Sequence, residues 1–416
     1  MDMRSPLAAG RESALLESRR LCKIASSPHA YVRGSTARFY ELLAEPGAVS
    51  LPQGPPVWIC GDCHLGNLGA LAGPDGRIDV QIRDLDQTTV SNPAYDLVRL
   101  ALSLVTAAMN ATLPGIVTAR MMEAMARGYA DGLTDPEAAR EHASEIVATV
   151  RRRALGRRWR HLARERLKAR DDRLRRGRKF WDLDAGEHAA FEALVQDEHV
   201  RRLVLSLNGA EEGAEVALLD AAYWIKGCSS LGRLRYAGRV RVGGRRGAQR
   251  ALIDVKEAVP CLVPAAPGAD VPEDHGERVA AGARALSPNL GARMVAAHFN
   301  GRPVTVRELA PQDLKIDADQ FSRGEAVRVA GHLAAIVGRA HGRQMALPDR
   351  EAWAGVILAP GADEGAPRWL WSAVTDLLGR HQSGYLEHCR RIARDDMGTD
   401  AAGDAAEVEA RAAAAG

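Results

Sequence analysis

No run in this sequence is long and apolar enough to cross a bilayer. The longest candidate, residues 97–109, falls short of the roughly eighteen residues required and is interrupted by Arg99. Aromatic residues are scarce at 5%, so a spaced aromatic series on which nucleic-acid bases could stack is missing. Charge of one sign is also missing: 56 Lys and Arg against 53 Asp and Glu leave a formal net charge of +3, too little for the chain as a whole to read as a nucleic-acid binder. Six cysteines in 416 residues fit reduced thiols rather than a disulfide scaffold. The first twenty residues are polar and charged, without an apolar stretch leading to a cleavage signal. Together these absences predict a soluble, cytoplasmic protein with no membrane and no nucleic-acid partner. The hydrophobic content of 46% excludes a chain disordered throughout.

At 416 residues the chain exceeds the usual length of one domain, and two packed lobes are expected. Residues 11–50 carry apolar stripes at helical spacing, split by Ser26-Ser27-Pro28. Short strands are predicted at Val57 to Cys60 and Ile78 to Ile82, and a helix from Tyr95 to Met109. Residues 137–178 also read as helical, with about fifteen Lys or Arg against about three acids between 151 and 179, a pattern expected of a solvated face. From residue 222 the pattern becomes strand, Gly-rich turn, strand, turn, strand, helix (Pro272 to Leu286), and then a hairpin around Asn300-Gly301. Amphipathic helices follow at Glu325 to Gln344 and Trp369 to Arg394, and the Ala- and acid-rich tail after Gly398 is expected to fray.

Two constellations carry chemistry. In the first, Cys60-Gly61-Asp62-Cys63-His64-Leu65-Gly66-Asn67 follows a strand, Ile82-Arg83-Asp84-Leu85-Asp86 ends the next, and Asn92-Pro93-Ala94-Tyr95-Asp96-Leu97 comes after. This spacing suits phosphoryl transfer. Asp62 can orient a substrate hydroxyl and take its proton, while the Asn67 amide oxygen and the Asp84 carboxylate can hold Mg²⁺ against nucleotide phosphates, with Asp86 a further candidate ligand. The same residues contain a formal C-x-x-C-H pattern. Haem attachment needs an exported chain, zinc needs a second ligand pair that the isolated Cys228 and Cys261 do not supply, and Asp62 between the thiols opposes thiolate formation. The three motifs in series resemble the catalytic and metal loops of aminoglycoside phosphotransferase-like proteins of the kinase superfamily, except that Cys60 stands where those enzymes carry His. That resemblance implies that Asp96 braces the catalytic loop.

The second constellation lies between residues 227 and 309. The turn Gly227-Cys228-Ser229-Ser230-Leu231-Gly232 can cover phosphates with backbone N–H groups, Gly227, Ser229, Ser230 and Gly232 being the candidate contacts. It is not a P-loop, because Arg233-Leu234 stands where Lys-Ser/Thr is required. Lys256 ends the third strand, where a kinase lysine would reach the α- and β-phosphates, with Glu277, or failing that Glu273, as its expected partner. Arg307-Glu308-Leu309 would then be the hinge that meets adenine. Arg33, ahead of Gly34-Ser35-Thr36, could hold an anion or be a surface arginine beside a helix cap.

Relative to ordinary kinases the order is inverted, since the Gly-rich turn and lysine follow the catalytic loop. Circular permutation accounts for this economically. The segments Val32-Arg33-Gly34-Ser35, G-D-x-H-x-x-N, D-x-D and Val255-Lys256-Glu257-Ala258 resemble the bacterial family DUF2252 over about residues 28–345. The expected architecture is thus α+β: a kinase-like two-lobe fold with circularly permuted element order. Residues 1–220 form a helical lobe with the catalytic and metal loops, 221–318 a strand-rich nucleotide lobe, and 319–416 the helices that complete the first. The expected activity is Mg²⁺- and ATP-dependent phosphate transfer to a hydroxyl of a small molecule. Adenylyl transfer on the same fold, a non-catalytic nucleotide-binding pseudokinase, and nucleic-acid binding by the basic helix are the alternatives.

Overall fold

The computed structural model describes residues 9–135, 144–167, 173–207, 209–227, 231–243, 248–316, 323–359 and 367–413. It opens with three helices, α1 (Ala9–Ile24), α2 (Pro28–Gly34) and α3 (Thr36–Ala44), the break at residues 25–27 ending in Ser27, whose side chain accepts from the Ala30 N–H and caps α2. Then come β1 (Val57–Ile59), β2 (Leu68–Ala72), β3 (Ile78–Ile82) and β4 (Thr89–Ser91), followed by the helices α4 (Ala94–Asn110) and α5 (Gly115–Thr134). β1 pairs with β4, and β2 pairs with β3. These four short strands hold the first constellation at their ends.

The main sheet has six antiparallel strands. Its members are β5 (Phe180–Trp181), β6 (Val216–Trp224), β7 (Arg235–Val242), β8 (Gln249–Glu257), β9 (Met294–Phe299) and β10 (Arg302–Glu308), in the order β5-β6-β7-β8-β10-β9. Asn300 and Gly301 take positive φ values of 49° and 72°, the turn that the Asn-Gly pair predicts. A last strand, β11 (Leu314–Lys315), crosses to pair with β2. Strand alternation divides the sheet's faces. Tyr236, Ile253, Val255 and Val306 pack with Phe191 and Val195 of the helix Ala185–Gln196 into one apolar cluster. Arg235, Asp254, Lys256 and Arg307, in register across β7, β8 and β10, point the other way, toward the loops of the first constellation.

The larger core joins α4 and α5 to the helices Arg323–Gly342 and Leu347–Leu358. Gly128 and Gly132 face Gly331 and Ala335 so closely that a Cβ would lie 2.2 and 2.1 Å from a carbonyl oxygen, so α5 and the later helix approach backbone to backbone.

The mixed α and β composition is as expected, and the segment from 222 to 309 follows the predicted order of elements. Several boundaries differ. The boundary placed at residue 220 falls inside β6, and the helices Ala185–Gln196 and Glu198–Leu207 pack on the sheet. The basic stretch is not one helix: Glu145–Gly156 and Trp159–Arg166 give way to an isolated bridge, Leu167 to Leu174, and then β5. The final helix runs Arg368–Ala413, through the tail expected to fray. Among the described residues no helix is long and apolar enough to cross a membrane.

Candidate active site

The loop after β1 is built around a buried carboxylate. The backbone N–H groups of Cys60 and Gly61 donate to Asp96 Oδ2 and Oδ1 at 2.7 and 2.9 Å, and His341 Nε2 lies 3.2 Å from Oδ2. His341 Nδ1 meets the Tyr129 hydroxyl at 2.8 Å, which in turn accepts from Trp353 Nε1 at 3.2 Å. A fully buried Asp is thereby satisfied on both oxygens, and the loop is pinned to α4 and, through His341, Tyr129 and Trp353, to three more helices of the core. Gly61 has φ +73°, and a Cβ there would lie 2.1 Å from the Gln87 carbonyl oxygen, so only glycine fits this turn.

That turn presents Asp62. Its Oδ1 accepts from Arg99 Nε at 3.1 Å and Nη2 at 2.9 Å, with Arg99 wholly buried and its guanidinium also donating to the Val32 carbonyl at 2.7 Å. Oδ2 is 3.9 Å from His64 Nε2. Burial raises the Asp62 carboxyl above the ordinary aspartate range, against the opposing pull of Arg99. Burial and the cations Arg33 and Arg99 hold His64 well below the usual imidazole value, so its ring is neutral. Asn67 ends a short 3₁₀ turn and donates its amide N–H to the Asp62 carbonyl at 2.8 Å, leaving its amide oxygen for a ligand.

Asp84 and Asp86 follow β3, and Lys256 reaches both from β8: Nζ lies 2.9 Å from Asp84 Oδ1 and 2.6 Å from Asp86 Oδ2. Partial desolvation pushes Asp84, whose side chain is still 47% exposed, upward, but Lys256, Arg235 and Arg307 outweigh this and hold it well below the carboxylate range. Asp86 is raised by burial and by Asp84 beside it. Beneath Lys256, Asp254 accepts from Arg235 at 2.9 and 2.5 Å and from Arg307 at 3.2 and 3.1 Å.

Asp62, Asn67 and Asp84 form a wall shared by two cavities. One, of about 400 Å³, opens toward Thr36, Asp86 and Arg233; the other, of about 430 Å³, opens toward Lys226, Gly227 and Arg307. Among the described residues no group of three or more His, Cys, Asp and Glu could hold a metal unaided. One amide oxygen and one carboxylate are nonetheless the kind of partial set that Mg²⁺ accepts when phosphates and water complete its shell.

The structure brings together Asp62, Asn67, Asp84, Asp86 and Lys256, with Gly227 lining the second cavity. Gly232 sits on an exposed turn with φ +90° and lines neither cavity, and Ser229 and Ser230 lie outside the described residues. Glu277 is not Lys256's partner. It is exposed in the first turn of the helix His275–Leu286, which Asp274 caps, as is Glu273 just before it. The inward charge of that helix is Arg278, whose guanidinium donates to the carbonyls of Asp86, Thr88 and Val259 and anchors the Asp84 loop. Cys60 and Cys63 are buried thiols, both raised above the usual thiol range, with burial the main cause at Cys60.

Sequence reasoning gave no site role to Arg99, Arg278, His341, Arg235 or Asp254, and it placed Arg307 at an adenine hinge, whereas its guanidinium turns to Asp254. Arg99 offered a signal, as the one charge in an apolar helical stretch, and such a charge needs a buried partner. The others offered none, because their partners come from distant segments.

A family model described as an uncharacterized protein conserved in bacteria (DUF2252) matches residues 11–391, and the chain belongs to that family. No curated protein and no solved structure matches it.

Proposed function

We propose that this DUF2252 protein is a Mg²⁺-dependent phosphotransferase, with a kinase-like two-lobe site in circularly permuted order, that moves the terminal phosphate of ATP to a hydroxyl of a small molecule. The observation that carries this reading is the contact of Lys256 with Asp84 at 2.9 Å across 172 residues of sequence, on a wall with a cavity to either side. A donor and an acceptor need two such compartments meeting at one reactive point. The order of strands around a glycine-bearing turn, a lysine-bearing strand, a helix and a hairpin is the second support.

In this reading Asp62 Oδ2, the oxygen not held by Arg99, receives the acceptor's hydroxyl proton as its oxygen bonds to phosphorus and the bond to the leaving ADP oxygen breaks. Arg99 fixes the carboxylate's orientation, and burial raises its basicity. Asn67 and Asp84 are the residues that would hold Mg²⁺, which supplies charge neutralisation at the phosphates. Lys256 would turn from Asp84 toward a phosphate oxygen when the donor enters. A non-catalytic nucleotide-binding protein is the second reading, favoured by the grip of Arg99 on Asp62.

Incubation with γ-labelled ATP, Mg²⁺ and a panel of hydroxylated small molecules tests this. Label transfer or slow hydrolysis that is lost in Asp62→Asn supports transfer. ATP binding without any turnover favours the second reading, and no binding of ATP with Mg²⁺ would sink both.

A further inference from the structure

The second cavity has an unusual wall. Seven Lys or Arg side chains line it, of which Arg235 and Arg307 share the buried Asp254, against two carboxylates, Asp62 and Asp84, each of which is already paired, with Arg99 and with Lys256. The Nε atoms of Arg33 and Arg83 are buried without a hydrogen-bond partner among the described residues. Arg33 rests against Gly66, where a Cβ would come within 2.6 Å of its Nη2, so the absence of a side chain at 66 makes room for the guanidinium at the cavity wall. Burial, and then the neighbouring Arg235, push the Lys226 ammonium well below its usual range. Cations held together at this cost are relieved by an anion of several charges.

The cavity also lacks what a base requires. Its described lining holds no aliphatic side chain larger than Ala30 and no aromatic ring apart from the imidazole of His64. The nearby indole of Trp224 is already covered, with Lys226 Nζ 4.0 Å, Arg235 4.9 Å and Arg166 5.0 Å from its ring. On the sheet face the Arg235–Asp254–Arg307 cluster presents charge to the cavity and no apolar surface for stacking.

We infer that this cavity selects its ligand by phosphate and not by base: it takes the oligophosphate chain of any nucleoside triphosphate, or inorganic tripolyphosphate itself, with little discrimination between purine and pyrimidine. The inference deepens the phosphotransferase reading and rests on it only in placing the chain's end at Asp84; the charge of the cavity stands independently.

Titration calorimetry of the full chain with Mg²⁺ and ATP, GTP, CTP, tripolyphosphate and AMP tests it. The first four are expected to bind within about threefold of one another and AMP at least about 100-fold more weakly. Arg33→Gln and Arg83→Gln, two separate variants in case one folds poorly, should each weaken all four by about tenfold in parallel. ATP binding more than about tenfold tighter than GTP, CTP and tripolyphosphate would overturn the inference and leave the phosphotransferase reading standing. Equal binding of the four without any turnover would uphold the inference and remove the transfer reaction. Failure of all five to bind to a folded chain would end both, and wild-type affinity in both variants would end the inference alone.

Discussion

Removing the Asp62 carboxylate should do two separable things. Asp62 is 14% exposed and Arg99 not at all, and among the described residues Arg99 Nη1 has no partner, so Asp62→Ala strands a buried guanidinium. Breaking a buried pair from one side costs about 3–5 kcal/mol. Arg99 keeps the Val32 carbonyl, which places the expected loss near the lower bound, about 3 kcal/mol. Asp62→Asn retains an oxygen for Arg99 and loses only the charge, so it should cost about 1–2 kcal/mol. Turnover, by contrast, should fall by about 10²–10⁴ in either variant, because neither can accept the hydroxyl proton. Urea denaturation measures the first effect and labelled-ATP turnover the second. In an Arg99→Leu background the alanine variant should cost less than about 1 kcal/mol, since neighbouring groups couple where distant ones add. Full stability of Asp62→Ala, or the same cost with and without Arg99, would refute the pairing argument. Wild-type turnover in Asp62→Asn would refute the role as base.

Asp84→Asn should abolish the Mg²⁺-dependent tightening of ATP binding, read by titrating ATP with and without the metal; a full metal effect would make Asp86 the ligand. Lys256→Met should weaken ATP binding, by an amount that changes when Asp84 is also neutralised, and strict additivity would show that the two do not share one ligand. The same variant carries a pH signature. Asp84 is held below its ordinary value, so the stability it draws from Lys256 is complete above about pH 4 and fades as pH falls through the depressed folded value. The denaturation deficit of Lys256→Met should therefore be larger at pH 7 than near pH 3, and equal deficits would contradict the pairing. Gly61→Ala should destabilise the chain by about 2 kcal/mol or more through its clash with the Gln87 carbonyl and its positive φ, and an unchanged denaturation midpoint would show that the turn relaxes freely.

Much of the local structure was legible because it depends on near neighbours. The Asn300-Gly301 turn, the β8 strand and the helical stripe of α4 are set by side chains a few residues apart. The role of Asp96 was legible through motif resemblance, and its hydrogen bonds to residues 60 and 61 agree with it. Less legible are the helices Ala185–Gln196 and Glu198–Leu207, which pack on the sheet, because their apolar faces match strands that begin later in the chain.

Sequence by itself determined which residues can carry charge and acid–base chemistry, and which short segments turn, pair or coil, since these follow from residue type and from spacing along the chain. Only the tertiary structure decided the partners. Lys256 pairs with Asp84 and Asp86 rather than Glu277, because β8 faces the β3 loop while the first turn of the helix His275–Leu286 points Glu277 outward and Arg278 inward. Arg99 locks Asp62, and Arg235 and Arg307 share Asp254, across gaps of 19 to 53 residues. A buried charge fixes that a partner must exist but not which one. The choice falls to whichever opposite charge the packing of distant segments carries into reach, and nothing in the spacing of the sequence encodes that distance.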